Sequence, residues 1–368
     1  MPLDTVPFLD LTAAYEGAKS DLDAAVARVT CSGMYLLGAE LSAFEDAYAR
    51  FCGAERCVGV ANGLDALHLA MRALGVGPGD EVIVPANTYI ATWLAVSQCR
   101  ATIVPVDPDP ATYNICRDCT EPAITPRTKV ILPVHLYGQP ADMDPILDLA
   151  RERGIHVLDD CAQAHAATYR GRRVGSLADI SAWSFYPGKN LGAFGDAGAV
   201  TSDDARLADA VRTLGNYGSR VKYHNEIKGV NSRLDELQAA VLAVKLSRLD
   251  VATSRRRAVA ASYLAGLRDL PLTLPHVPSY AEPAWHLFVI RHRARDELQK
   301  RLAEQGIGTL IHYPVPPHRQ PAYSELGWGA GRFPVSEAIH AEVLSLPIWP
   351  EMTEAMVQRV IEAVRASA

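Results

Sequence analysis

From Cys57 to Thr201 the chain repeats one rhythm, a short apolar run followed by a stretch with helical spacing. The apolar runs are Val58–Ala61, Glu81–Pro85, Thr102–Val106, Lys129–Val134, His156–Leu158, Ile180–Phe185 and Gly198–Thr201. Between them lie Leu64–Ala73, Ile90–Gln98 and Met143–Arg153. Strand, helix, strand at this spacing predicts βαβ units and a largely parallel sheet covered on both faces, an α/β fold. Ligands on such sheets bind beyond the carboxyl ends of the strands, so the residues just after each run are where chemistry is to be sought.

The flanks have a different pattern. Ala13–Thr30 reads as a helix, and Glu40–Phe51 as a second one with Leu41, Phe44, Ala47, Tyr48 and Phe51 on a core-facing side. After Ala239 a long helix carries Val241, Leu242, Val244, Leu246 and Leu249, with Ser254–Arg257 on its solvated face. Proline-rich sequence at Pro271–Pro283 leads into an α+β region. Its expected strands are Trp285–Val289 and Ile311–Tyr313, and its expected helices Ala294–Gln305 and Thr353–Ala366. A chain of 368 residues, 49% of them hydrophobic, is long enough for two lobes. The expected division is a large domain over 1–250 and a smaller C-terminal domain over 251–368, with the N-terminal segment packing on the small lobe.

A formal net charge of −6 and 21% charged residues argue against a general nucleic-acid or membrane-surface binder. No run of about 18 apolar residues is present to span a bilayer. The start, MPLDTVPFLDL, lacks the basic and apolar regions of a signal peptide, so a cytoplasmic protein is expected. Seven cysteines then read as reduced thiols. Cys116 and Cys119 form a C-x-x-C, but no second ligand pair for zinc lies close by. Nor does the pair follow a strand and open a helix, as a redox dithiol does. Neither a metal nor a redox role is expected there.

The chemistry concentrates in Ser181–Val200, SAWSFYPGKNLGAFGDAGAV. Lys189 sits in a glycine-rich loop after a buried run, with Ser184 ahead of it and Gly192, Gly195 and Gly198 behind. An amine that attacks a carbonyl must be held still, approachable and easily deprotonated, and burial disfavours its charged form. Asn62-Gly63-Leu64-Asp65 follows the first strand and opens a helix, whose free N–H groups suit a phosphate. Neither the G-x-G-x-x-G of dinucleotide sites nor a P-loop is present there. Tyr89, after the second strand, is placed either to lie on a planar ligand or to pack in the core. Asp159-Asp160-Cys161-Ala162-Gln163-Ala164-His165 follows the fifth run. A strand-end carboxylate there suits a protonated ring nitrogen, and Gln163 a ring oxygen. His165 is either a local acid–base group or a supporting histidine.

A phosphate site, a stacking aromatic, a carboxylate for a ring nitrogen and a lysine for a Schiff base are together the set of groups that pyridoxal 5′-phosphate (PLP) requires. The local sequences NGLDAL at 62–67, NTYIAT at 87–92, DDCAQAH at 159–165, SFYPGKNLGAFGDAGAV at 184–200 and NSRLDELQAA at 231–240 resemble the DegT/DnrJ/EryC1/StrS sugar aminotransferase family. The resemblance implies a fold-type I PLP-dependent aminotransferase with a mostly parallel seven-stranded sheet. It implies that Lys189 holds PLP as an aldimine, Asp160 pairs with the pyridine nitrogen, Gln163 bonds the ring hydroxyl and Tyr89 stacks. Gly63, Leu64 and Ser184 would bind the phosphate, and Asn231 would reach it from a neighbouring subunit, in a homodimer with shared active sites. Two positions depart from the family pattern. Leu64 stands where Thr or Ser is usual and offers only its N–H, and the acidic pair is Asp159-Asp160 instead of Glu-Asp, with the second acid assigned to the pyridine. Relatives with histidine in place of the lysine are dehydratases, so Lys189 favours transamination.

HLYGQPADMD at 135–144, NYGSRVKYHNE at 216–226 and GIGTLIHYPVPPHRQPAY at 306–323 resemble the branch acting on dTDP-3-keto-6-deoxyhexoses. The matching substrate positions are Tyr186, Lys222, His312 and Tyr313, with Arg220, Arg233, His165 and His318 as further candidates. A pyrophosphate-linked sugar needs fixed cations, and Arg220, Lys222 and Arg233 supply them unless they are solvated loop charges. The resemblance implies L-glutamate as amino donor. A 4-ketosugar aminotransferase, a PLP-binding regulatory protein without turnover, and a PLP dehydratase or lyase remain open at this level.

Overall fold

The computed structural model describes residues 5–368. Seven strands form the main sheet: β1 (Arg56–Val60), β2 (Glu81–Pro85), β3 (Thr102–Val106), β4 (Thr128–Ile131), β5 (His156–Asp160), β6 (Ile180–Ser184) and β7 (Gly198–Ser202). Their order is β1-β7-β6-β5-β4-β2-β3. β3, β2, β4, β5 and β6 pair in parallel, and β7 runs antiparallel to both β6 and β1. The expected mostly parallel seven-stranded sheet is therefore present, with one reversed strand.

Strands β2 and β7 are buried at every residue, as continuous apolar runs under helices on both faces require. The helix Gly63–Ala73 starts at Asn62, whose Oδ1 accepts the Asp65 N–H at 2.9 Å. It buries Ala66, Leu67, Leu69, Ala70 and Met71 against the sheet. Trp93 on the helix Ile90–Gln98 is fully buried and donates Nε1–H to Pro85 O at 3.0 Å. Losing such a side chain to alanine costs about 3–5 kcal/mol. A second core, Phe44, Tyr48, Trp183 and Phe185, lies around the strand end that leads to Lys189.

The C-terminal region has its own core, in which Tyr263, Phe288, Leu344, Val360 and Val364 pack together with Val6. Val6 bridges to Ile307 in parallel and exchanges backbone bonds with Gly306 and Gly308. The strands Phe288–Arg291 and Val343–Leu346 pair antiparallel at its centre.

Several local expectations shift. The segment expected as one helix over Ala13–Thr30 is two, Leu11–Glu16 and Lys19–Ser32, broken at Gly17-Ala18. The long helix after Ala239 is likewise two, Glu236–Leu246 and Leu249–Leu267. The strand expected at Trp285 begins at Phe288, because Trp285 takes a left-handed backbone, φ 49°. Ile311–Tyr313 is irregular, since only Leu310 bridges to Ser345. Arg256, expected in solvent, is 4% exposed and donates to Trp285 O at 3.2 Å and Ile348 O at 2.8 Å. Its guanidinium fills the acceptors of a turn that no backbone donor reaches. No helix among the described residues is long and apolar enough to cross a membrane.

Candidate active site

Four strand ends converge on one region. β5 ends in Asp160, whose N–H donates to Pro133 O at 2.8 Å while Val134 bridges to it in parallel. Its carboxylate is buried and accepts the Ala162 N–H at 3.1 Å and the Thr92 hydroxyl at 3.1 Å. The Thr88 and Thr92 hydroxyls lie 2.9 Å apart; with Thr92 donating to Asp160, Thr88 donates to Thr92. Burial raises the Asp160 pKa, while the Ala162 N–H, the Lys189 charge and Thr92 oppose the shift. Those three groups favour the carboxylate form that a ring N–H requires.

Behind it, Asp159 is completely buried and lies 3.1 Å from His135 Nε2. Nδ1 of His135 accepts the Ala141 N–H at 3.0 Å, so the ring proton sits on Nε2 and points at Asp159. Cys161 joins this buried trio, with ligand atoms within 4.8 Å of one another. The tautomer makes it a hydrogen-bonded support for β5, with the nitrogen a metal would need already carrying a proton.

β6 ends in Ser184, and the loop beyond it carries Lys189, whose N–H donates to Tyr186 O at 2.8 Å. Burial drives the Lys189 amine down to about 8, against the opposing pull of the Asp160 charge. No ion pair within 4 Å neutralises it among the described residues. The next residue, Asn190, is clamped by Ala284 and His286 from the C-terminal region.

The phosphate candidates are packed to contact. A Cβ on Gly63 would sit 2.5 Å from Ser184 Cβ, and one on Gly198 would sit 2.5 Å from Asn62 C and O. Asn62 takes the Asp65 N–H, which leaves the N–H groups of Gly63 and Leu64 without intrahelical acceptors beside the Ser184 hydroxyl. These orphan donors, the free amine and the buried acid fit the phosphate, aldehyde and ring nitrogen of PLP.

The far wall comes from the C-terminal region. Tyr313 lies against Tyr89, ring centroids 5.1 Å apart, and its hydroxyl accepts from Gln163 Nε2 at 2.9 Å. Gln163 Oε1 accepts the Tyr137 N–H at 2.6 Å, and the Tyr137 hydroxyl donates to His312 O. His312 Nδ1 is 2.8 Å from Ser345 Oγ, and burial lowers its pKa to about 4, so the ring is neutral. Tyr89 and Tyr186 are about half exposed beside these groups.

The other predicted residues lie elsewhere. His165 has no exposed surface and packs on Trp183 and Phe185, so it backs the Ser184 strand and offers no direct substrate contact; burial lowers its pKa to about 3. His318 is buried against Glu337 at 3.1 Å. Arg220 pairs with Asp209 and Glu226 on an exposed hairpin that also carries Lys222, whose amine lies over the Tyr223 ring. Asn231 is exposed and bridges to Asn216, to which Arg233 also donates at 3.1 Å. No hydrogen bond, ion pair or ring contact of Arg220, Lys222 or Asn231 involves Lys189, Asp160, Gln163 or Tyr313 among the described residues. Thr92, His135, Asn190 and His286 were not singled out from sequence. Thr92 lay inside the NTYIAT stretch, one helical turn after Thr88, which was the one signal for it.

A half-buried lysine and a buried aspartate at the strand ends of a seven-stranded α/β sheet define a PLP-dependent aminotransferase of fold type I. The model of the DegT/DnrJ/EryC1/StrS aminotransferase family matches residues 17–365, and the chain belongs to that family. It is 55% identical over 361 residues to the dTDP-3-amino-3,4,6-trideoxy-alpha-D-glucose transaminase of Streptomyces venezuelae, covering 98% of this chain and 95% of that one. It is also 55% identical over 359 residues to the dTDP-3-amino-3,6-dideoxy-alpha-D-galactopyranose transaminase of Aneurinibacillus thermoaerophilus, covering 98% of each. Among solved structures it is similar to S. venezuelae DesV in complex with a ketimine intermediate, with a TM-score of 0.97, 54% identity and 98% of each chain covered.

Proposed function

We propose that the protein transfers the amino group of L-glutamate to the C3 carbonyl of a dTDP-linked 3-keto-6-deoxyhexose, in deoxyaminosugar biosynthesis. The observation that carries this reading is that two relatives, each 55% identical over nearly the whole chain, both make 3-amino sugars on dTDP although their sugars differ at C4.

PLP, when bound, supplies a carbonyl for amine exchange and a ring that withdraws electrons from the reacting carbon. Gly63, Leu64 and Ser184 would hold its phosphate, Asp160 its ring nitrogen, Gln163 its ring oxygen and Tyr89 its face. Lys189 does the proton work. With its pKa near 8, Nζ can take the proton from the amino carbon of the donor and return one to the sugar carbon. Asp160 keeps the ring nitrogen protonated, and the Thr88–Thr92 relay and Ala162 N–H hold that carboxylate in place. Tyr186, His312 and Tyr313 would line the sugar site. Arg220, Lys222 and Asn231 would act across the interface of a homodimer, since within one chain they make no contact with the lysine site. We further assign the lobes as 1–250 and 251–368, and the protein to the cytoplasm.

The test is product analysis. Purified protein, L-glutamate and a panel of dTDP-3-keto- and 4-ketosugars are incubated, and the nucleotide products are weighed by mass spectrometry. The reading requires an amino sugar from a 3-ketosugar with one 2-oxoglutarate released. Amination of the 4-ketosugars alone contradicts it.

A further inference from the structure

Cys116 immediately precedes the one-turn helix Arg117–Thr120, and Cys119 lies three residues on, so both side chains fall on the same face. Their sulfurs are 2.7 Å apart. The Cys116 N–H donates to Cys119 Sγ at 3.0 Å, and the Cys119 thiol reaches Cys116 O at 3.1 Å. The helical turn that the sequence pattern did not show is what turns the two thiols together. Cα atoms three apart in a helical turn are separated by about 5 Å, inside the range a disulfide spans. Both residues are partly exposed. Cys52, Cys57, Cys99 and Cys161 are buried, and Cys31 is exposed but is not paired with another thiol.

We propose that Cys116 and Cys119 are a dithiol modification site, closed to an intrachain disulfide by exchange with a low-molecular-weight disulfide of the glutathione type. The Cys116 thiolate attacks one sulfur of the disulfide, forms a mixed disulfide and releases one thiol. Cys119 then gives up its proton and attacks Cys116 Sγ, releasing the second. Two protein thiols are oxidised, and one disulfide is reduced to two thiols. Cys116 is the attacking group because the hydrogen bond from Cys119 brings its thiol down to about 7 and raises that of its partner.

The pair is tied to the site already described. Tyr113 O accepts from Asn87 Nδ2 at 2.8 Å, next to the Thr88-Tyr89 segment. Asn114 accepts the Leu136 N–H at 3.1 Å and donates to Gln139 O at 2.9 Å, on either side of Tyr137. Closing the dithiol therefore acts on a segment that supports two walls of the cofactor site.

The holoenzyme is equilibrated over a series of reduced-to-oxidised glutathione ratios, quenched with an alkylating agent and mapped by peptide mass spectrometry. The expected result is loss of two hydrogens across Cys116 and Cys119 at ratios where Cys31 carries no adduct, reversed by dithiothreitol. Cys119→Ser is expected to stop at a mixed disulfide on Cys116, and Cys116→Ser to leave Cys119 free under the same conditions. The proposal is overturned if both thiols stay alkylatable when Cys31 is already modified. It is equally overturned if the two serine variants take up glutathione to the same extent.

Discussion

His286 Nδ1 faces Asn190 Oδ1 at 3.3 Å, and the same Asn190 donates Nδ2 to Ala284 O at 2.8 Å. Asn190 is the residue next to Lys189, so the lysine loop is fastened to the segment that enters the C-terminal strand pair. With Asn190 Nδ2 committed to Ala284, the histidine must donate, which places its proton on Nδ1. Burial and the Lys189 charge keep that ring neutral, well below the ordinary histidine range. His286→Phe is expected to lower kcat about 10- to 100-fold, the scale of a small misplacement of a reacting group. His286→Asn, which can still donate, should recover part of it, and steady-state kinetics of both variants check this.

Lys189 should take up the cofactor faster as pH rises. Only the neutral amine attacks the aldehyde, and its pKa lies near 8. The uptake rate of stripped protein should climb about tenfold per pH unit below that value and level off above it. Stopped-flow absorbance of added PLP measures this. A flat profile between pH 6 and about 8 contradicts the depressed pKa.

Asp160→Asn keeps the shape of the acid and removes its charge. Single preorganised electrostatic groups contribute about 2.7–4 kcal/mol to a barrier, so kcat should fall roughly 10²- to 10³-fold. Circular dichroism should be unchanged, because the amide oxygen can keep the Ala162 N–H while Nδ2 donates to the Thr92 hydroxyl, which can turn its own proton to Thr88.

Gly63→Ala places a methyl group 2.5 Å from Ser184 Cβ. Something must move, and overpacking of this kind costs about 1–3 kcal/mol. The shift falls on the donors proposed for the phosphate, so the Kd for PLP should rise about tenfold or more. Equilibrium dialysis gives the affinity, and a thermal melt separates it from lost stability.

Lys222 is exposed, and its amine lies over the Tyr223 ring; among the described residues it makes no hydrogen bond, ion pair or ring contact with Lys189. Lys222→Ala should raise KM for the nucleotide sugar and leave the single-turnover reaction with glutamate at its wild-type rate. Equal damage to both would mean that the lysine does not serve the sugar subsite.

Much of the site was legible because it follows strand ends. The strands after which Asn62, Tyr89, Asp160 and Lys189 lie were marked by apolar runs, and four of the expected elements agree with the structure to the residue: Glu81–Pro85, Ile90–Gln98, Thr102–Val106 and Met143–Arg153. Regular periodicity is a local property, so it can be read locally. Arg256 was misplaced for the complementary reason. A charged run on a helix reads as solvated until a distant turn presents carbonyl oxygens to it, here those of Trp285 and Ile348. Cys116 and Cys119 were set aside because no second ligand pair lies near them and no helix was expected to follow them; the helix that Cys116 opens is a single turn, too short to leave a periodic signal.

By itself the order of residues determined the α/β class and pointed to Lys189, Asp160 and the Asn62–Asp65 turn as the site candidates, because each signal depends on neighbours a few positions away. Only the tertiary structure decided that Asn190 is held by His286, that Gln163 joins Tyr137 to Tyr313, and that His165 is sealed behind Trp183. These contacts join residues 18 to 150 positions apart, and such pairings are settled by how distant segments pack in three dimensions, which no local pattern records.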